Sequence, residues 1–343
     1  MQITPDGELA EAAQRLAALA GKASPRALTS LAGGMNNRVF RVEIDGGVPL
    51  VLKSYFHDPR DPRDRLATEW SFLTLAWARG IRTIPEPLAC EPASHTALHG
   101  FVAGAKIAAG AVTDAHVAAA ADFVLAINDP PHTPTMLLPA SEACFSLAQH
   151  VATVTRRVGR LSNLAPGAPL RAEAERFIAG RLRPVWRELE ARIDREARAS
   201  RISLDQELDP ADCCLSPSDF GFHNALEDES GRITFLDFEY AGRDDPAKLV
   251  CDYFCQPEVP VPIRHFEPFQ ERAAIGLGLD SAVRDRCRLL LDAYRVKWTC
   301  IMLNEFLAIG AARRAFAEAG AWERRCRTQL AKAEAKLSEI RGL

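Results

Sequence analysis

One segment constrains this chain more than any other: residues 216–252, SPSDFGFHNALEDESGRITFLDFEYAGRDDPAKLVCD. It predicts a loop and an apolar strand over 233–238 within a half of the chain that otherwise reads as helix. A strand among helices must be buried by them, so each polar group it carries needs a reason to be there. Here the apolar run contains Asp237, and the loop before it carries Asp219 and Asn224. An acid, an amide and a second acid are thereby set on one short stretch of backbone.

This set suits phosphoryl transfer. A carboxylate can orient the attacking hydroxyl and accept its proton, while an amide oxygen and a second carboxylate can hold magnesium against the phosphates. Asp219 is the candidate base, and Asn224 and Asp237 are the candidate metal ligands. Taken alone, Asp219 could be an Asx-turn residue, Asn224 a left-handed turn residue and Asp237 a strand-end cap. Their joint spacing and the strand favour the functional reading. His223, next to Asn224, reads as a packed loop histidine.

Composition narrows the classes. The chain has 343 residues, 48% hydrophobic and 25% charged, with a formal charge of −3. That is room for two subdomains, and so near-neutral a charge argues against nucleic acid as a partner. There is no window of 18 uninterrupted apolar residues and hence no expected membrane span. The N-terminus carries acids and reads as an amphipathic helix rather than a signal peptide. The nine cysteines show no CxxC pair. A reducing, cytoplasmic setting with small buried thiols is expected, the alternative being a metal site at Cys251, Cys255 and Asp252.

Up to about residue 103 the pattern is strand-rich. Strands are expected over 28–32, 38–44 and 49–55, with Asp45-Gly46-Gly47 as a hairpin turn. A helix over 63–79 closed by Gly80 follows, then extended pieces after Pro85 and over 95–103. Gly104 is the expected hinge. Helices are then expected over 113–128, over 141–157 with Ser141 as cap, and over 170–199 with a bend at Pro184. After the loop-and-strand segment, Asp245-Pro246 should open a helix to Cys255, and two more helices should fill 285–316 and 318–341. The expected organisation is a small nucleotide-binding lobe, 1–103, and a large helical lobe, 104–343.

Gly33, Gly34, Asn36 and Asn37 lie between two strands, where glycine lets backbone N–H groups approach a phosphate. No G-K-[ST] follows, so this is not a Walker A loop. Lys53 ends the apolar run Leu50-Val51-Leu52, and Glu69 lies on the next helix; the pair is suited to anchoring phosphates. Asp252, together with Lys297, Asn304 and Glu305 at intervals that share one helix face, are candidate acceptor-binding residues, the alternative for the last three being a solvent edge.

The segments GG-N-N-R-V-F-R-V, L-V-L-K, the later helix glutamate, S-D-F-G-F-H-N-A-L, F-L-D-F-E-Y-A-G and D-D-P together resemble the aminoglycoside phosphotransferase and choline kinase superfamily over about residues 28–255. The resemblance implies an α+β, protein-kinase-like bilobal fold with ATP (or GTP) and Mg²⁺ held between the lobes. It implies that Lys53 and Glu69 anchor the phosphates, that Asp219 is the base, and that Asn224 and Asp237 bind the metal. The implied acceptor is a hydroxyl of a sugar, amino sugar or amino alcohol, with the protein acting as a monomer or homodimer. Two departures stand out: Pro217-Ser218 replaces His-Gly before Asp219, and the D-P-x-x-D pattern becomes Asp245-Pro246 with the next acid at Asp252. The alternatives are a catalytically silent nucleotide-binding module and an aminoglycoside-resistance kinase. No A-P-E-like segment follows Asp237, which argues against a protein kinase.

Overall fold

In a computed structural model the described residues are 7–31, 37–57, 61, 63–129, 138–308 and 319–340, the side chains of 319–321 excepted. Helix α1 (Gly7–Leu19) is followed by β1 (Pro25–Leu31), β2 (Arg38–Ile44), β3 (Leu50–Ser54), α2 (Arg65–Ala78), β4 (Pro87–Glu91) and β5 (Thr96–Gly100). The strands form one antiparallel sheet in the order β1-β2-β3-β5-β4. Period-two alternation separates its faces. Phe40, Val42, Leu50, Leu52 and Leu98 pack on Leu9, Ala13 and Leu16 of α1. Lys53, Val51 and Val39 point the other way. Each leucine buried on the α1 side contributes about 1.5–3 kcal/mol, so a charge at Leu52, which is fully buried, would break the sheet's support.

Beyond β5, Gly104 sits at φ +155, and a Cβ there would lie 2.8 Å from the Glu227 carbonyl oxygen. Only glycine permits that approach. A three-stranded sheet follows, in the order β6 (Ala105–Lys106), β8 (Ala225–Glu227), β9 (Ile233–Phe235). Helix α3 (Asp114–Ile127) starts from a Thr113 capping box with His116. The strand expected over 233–238 stops at Phe235, so Asp237 lies just past it, at φ +65.

The helical part comprises α4 (Leu147–Arg160), α5 (Arg171–Phe177), α6 (Arg183–Ala199), α7 (Pro246–Cys255), α8 (Phe266–Gly276), α9 (Ala282–Met302) and α10 (Ala319–Leu337), with β7 (Cys214–Ser216) and β10 (Gly242–Asp244) as a two-stranded pair. Three expectations change in detail. Ser146 caps α4, accepting from the Gln149 N–H, whereas Ser141 donates its own N–H to the Tyr240 carbonyl. The break in the 170–199 helix is a wide π turn over Ile178–Leu182, one turn before Pro184. Its extra residue relieves the clash a proline ring makes with the carbonyl four residues earlier. The helix expected over 285–316 ends at Met302 in a tighter turn, Leu303–Phe306, and the rest of that span reaches past the described residues. Helix α8 was not anticipated.

By packing, the chain divides into two units, Met1–Ser141 with Leu215–Arg243, and Glu142–Cys214 with Asp244–Leu343. The loop and hairpin bearing Asp219, Asn224 and Asp237 thus pack in the same unit as the five-stranded sheet. The second unit's core is built from α4, α5, α6, α9 and α10 around Val154, Phe177, Trp186, Leu189, Val296 and Leu330. No helix among the described residues is long and apolar enough to cross a membrane.

Candidate active site

The hairpin β8–β9 explains the spacing of the acidic loop. Ala225 pairs with Phe235, so Asn224 and Leu236 fall opposite each other, and the Leu236 N–H donates to the Asn224 carbonyl at 2.8 Å. Asp228 shapes the turn by accepting from the backbone N–H groups of Ser230 and Arg232. Residues thirteen apart in the chain, Asn224 and Asp237, thereby become neighbours on adjoining strand ends.

Ser218 (φ +49), Asp219 (φ +40) and Asp237 (φ +65) all adopt left-handed backbone conformations. Such positions cost about 1–3 kcal/mol for a non-glycine residue and persist where the surroundings hold them. Here the Ser216 hydroxyl accepts the Ser218 N–H at 3.2 Å, and the Asn224 side-chain N–H donates to the Asp219 carbonyl at 3.0 Å. Ser218 takes the left-handed turn where the resemblance expects glycine. The Asn224 hydrogen bond also leaves the amide oxygen, a suitable ligand for a hard cation, uncommitted.

Lys53 meets two carboxylates, Glu69 of α2 and Asp237, each at 2.6 Å. Burial alone would pull the Lys53 ammonium down, but the two acids more than offset it and hold it above its ordinary value. Burial raises Glu69, with Lys53 working against it and the Asp237 charge adding to it. The second Glu69 oxygen accepts from the Phe238 N–H at 3.2 Å, and Phe238 stacks on Phe72 of α2 at 4.4 Å. Glu69 therefore both pairs the lysine and pins the backbone beside Asp237.

These groups border a cavity of about 360 Å³ lined by Val39, Val51, Lys53, His99, Asn224 and Asp237. His99, on the same sheet face, is pushed down to about 3 by burial and by the Lys53 charge, so it is neutral at ordinary pH. A second cavity, of about 290 Å³, is lined by Arg63, Thr68, Ser71, Glu239 and Tyr240 and contains none of the expected site residues.

Gly33, Gly34 and Asn36 lie outside the described residues. Asn37 is described, and its side chain is engaged on both sides: its N–H donates to buried Glu239 at 2.6 Å, and its oxygen accepts from the Phe56 N–H at 3.2 Å. Expected as a cofactor contact, Asn37 ties the start of β2 to a residue two past Asp237. No spacing rule could have found Glu239, because the two partners are 202 residues apart.

In the helical unit, α7 is buried along its whole length, with Asp245 capping it by accepting from the Ala247 N–H at 2.7 Å. Asp252 and Lys297 come together at 2.8 Å, and Asp252 also takes the Trp298 indole N–H and lies 3.6 Å from Lys248. Burial raises the Asp252 carboxyl, but Lys297 and Lys248 outweigh it and hold it below its ordinary value. Lys297 is buried, whereas Asn304 is exposed and Glu305 lies 3.5 Å from Arg325, so the face expected to hold all three is divided where the helix tightens. All nine cysteines are free, and the Cys251 and Cys255 thiols face the backbone carbonyls of Cys287 and Leu291.

A model of a phosphotransferase enzyme family matches residues 27–267. The chain belongs to this family. Solved structures agree on the fold of this phosphotransferase. A spectinomycin phosphotransferase in complex with ADP and spectinomycin is similar at TM-score 0.62 and 12% identity, covering 95% of this chain and 97% of that one. A choline/ethanolamine kinase family protein from Mesorhizobium loti gives TM-score 0.57 and 22% identity over 95% and 94% of the two chains. An amicoumacin kinase in complex with AMP-PNP, Ca²⁺ and its ligand gives 0.55 and 14% over 97% and 94%. A search of curated proteins gives no match. The fold is thus protein-kinase-like, an antiparallel-sheet N-lobe with a helical C-lobe.

Proposed function

We propose that this phosphotransferase moves the γ-phosphoryl group of ATP, with Mg²⁺, to a hydroxyl of a small molecule of the sugar, amino sugar or amino alcohol class. The observation that carries the reading is the meeting of Lys53, Glu69 and Asp237 from three separate elements within 2.6 Å at the edge of the cavity that Asn224 also lines. A lysine held charged there suits phosphate oxygens. In this reading residues 1–103 are the nucleotide-binding lobe, with Gly33, Gly34 and Asn36 among the cofactor-binding residues, and residues 104–343 supply the base and the acceptor site.

The donor set fits magnesium. Asn224 has a free amide oxygen, and Asp237 has a carboxylate oxygen beyond the one that Lys53 takes. Mg²⁺ is commonly held by one or two such protein oxygens, with phosphate and water oxygens completing its shell. Bound there, the ion would neutralise phosphate charge. Among the described residues no group of three or more His, Cys, Asp or Glu side chains forms a closed metal cage.

The remaining work falls to this chain's own residues. Asp219 orients the acceptor hydroxyl and takes its proton, and Lys53 holds phosphate oxygens in line. The test is ADP release by purified protein with Mg²⁺-ATP across choline, ethanolamine, sugars, amino sugars, spectinomycin and other aminoglycosides. One compound that stimulates ADP release and gains a phosphate supports the reading and names the acceptor class. Nucleotide binding without transfer to any compound would favour a silent binding module, and no nucleotide binding would overturn the reading.

A further inference from the structure

His223 stands out among the residues around the candidate base. Its Nε2 lies 3.3 Å from Asp219 Oδ1, and its side chain is only 16% exposed. It also lines the cavity that holds Lys53 and Asp237. A carboxylate only accepts hydrogen bonds, so the imidazole nitrogen facing it must carry the proton. The opposite nitrogen, Nδ1, is buried without a partner among the described residues. Packing alone would favour an apolar side chain at such a position, because an unmatched buried nitrogen is unfavourable. The contact with Asp219 supplies a reason for a histidine.

We infer that His223 is a positioning residue for Asp219. This rests on the reading of Asp219 as the base. The Nε2–H donates to Oδ1 and holds the carboxylate in one rotamer, leaving Oδ2 to meet the acceptor. The Asn224 N–H on the Asp219 carbonyl fixes the backbone of the same residue at 3.0 Å, so the base is held at both its main chain and its side chain. In the transfer step the acceptor oxygen bonds to the γ-phosphorus and the bond from that phosphorus to the β-bridging oxygen breaks. Its electron pair leaves with ADP, and the hydroxyl proton goes to Asp219 Oδ2. His223 keeps its own proton throughout. The base thus depends on a side chain four residues on, at the position immediately before the metal-binding amide.

The experiment measures ADP release from Mg²⁺-ATP with the acceptor panel above and with water alone, in His223→Leu, His223→Gln, Asp219→Asn and the double variant Asp219→Asn/His223→Leu. His223→Leu removes the donor and should lower kcat by about tenfold to a hundredfold, the range for one lost hydrogen bond to a charged group. The nucleotide KM should stay within about threefold, because the phosphate-anchoring groups are untouched. His223→Gln, which keeps an N–H within reach, should recover much of kcat. In the Asp219→Asn background His223→Leu should cost nothing further, since the histidine acts through the carboxylate. Unfolding midpoints and nucleotide titrations on the same variants separate misfolding from this effect. A His223→Leu enzyme with unchanged kcat, glutamine no better than leucine, or losses that simply add would each overturn the inference while leaving Asp219 as base. Full activity in Asp219→Asn, or no ADP release by the wild type with any acceptor, would overturn both.

Discussion

Two clusters of aspartate and lysine lie in the two units, and they differ in what they leave open. Around Lys53 the carboxylate of Asp237 is 32% exposed, and Asp219 nearby is 37% exposed. Around α7, Asp244 and Asp245 are fully buried and Asp252 is 11% exposed. Every acid in that second cluster meets cations of its own unit: Lys248 at 2.5 Å from Asp244, His150 and Arg286 at Asp245, and Lys297 at Asp252. Residue types are shared, yet the first cluster keeps acceptor capacity facing a cavity and the second has none to spare. Spare capacity beside a cavity marks a site, whereas closed pairing marks a brace.

This contrast can be broken most sharply at Asp219. Asp219→Asn should cut turnover by about 10³-fold or more while leaving stability within about 0.5 kcal/mol, because asparagine tolerates the left-handed backbone. Equal loss of stability and activity, measured by urea unfolding beside ADP release, would erase the distinction.

Asp245→Ala tests the other side. It strands Arg286 and His150 in the interior and should destabilise the protein by about 3–5 kcal/mol. A loss below about 1 kcal/mol would show that the α7 cluster is no brace. Next comes Asp237→Ala, which should lower turnover by about 10²-fold and remove the dependence of nucleotide binding on divalent cation. Chelating the metal from the wild type should reproduce that binding defect, and calorimetry with and without Mg²⁺ checks both.

The smallest effect is a pH dependence of stability. Burial would pull His150 down, but its hydrogen bond to Asp245, together with the influence of the nearby Cys144, outweighs this and pushes it up to about 9. Asp245, raised by burial, is brought down to about 2 by His150 and Arg286. A raised histidine stabilises fully below its unfolded value of about 6.5 and loses that contribution as pH climbs through the folded value. The depressed aspartate contributes above about pH 4 and loses its contribution as pH falls through about 2. Stability from the pair should therefore be complete between about pH 4 and 6.5. On the order of 2–3 kcal/mol of it should be gone by about pH 10. His150→Gln should flatten the alkaline limb, and an unchanged limb would remove His150 from the account.

Much of this was legible in the residues. The hairpin around Asp45-Gly46-Gly47, the strand that carries Lys53, the helix that carries Glu69 and the Asp245-Pro246 start of α7 all follow from turn chemistry, alternation and caps, which act over two to four residues. The end of β9 at Phe235 was not legible, because an apolar run does not show where the backbone turns left-handed. Nor was Ser146 distinguishable from Ser141 as a cap, since what sets them apart is the carbonyl of Tyr240.

The set and order of the candidate site residues, Lys53, Glu69, Asp219, Asn224 and Asp237, can be read from the residues alone. Only the tertiary structure decided who meets whom. It gave Lys53 a second acid 184 residues away, joined Asn37 to Glu239, set His223 on Asp219, and spent Asp252 on Lys297. The physical reason is one of range. Local backbone preference acts over a turn or two, whereas the pairing of buried charges is settled only when distant surfaces have packed and each charge must find a partner out of water.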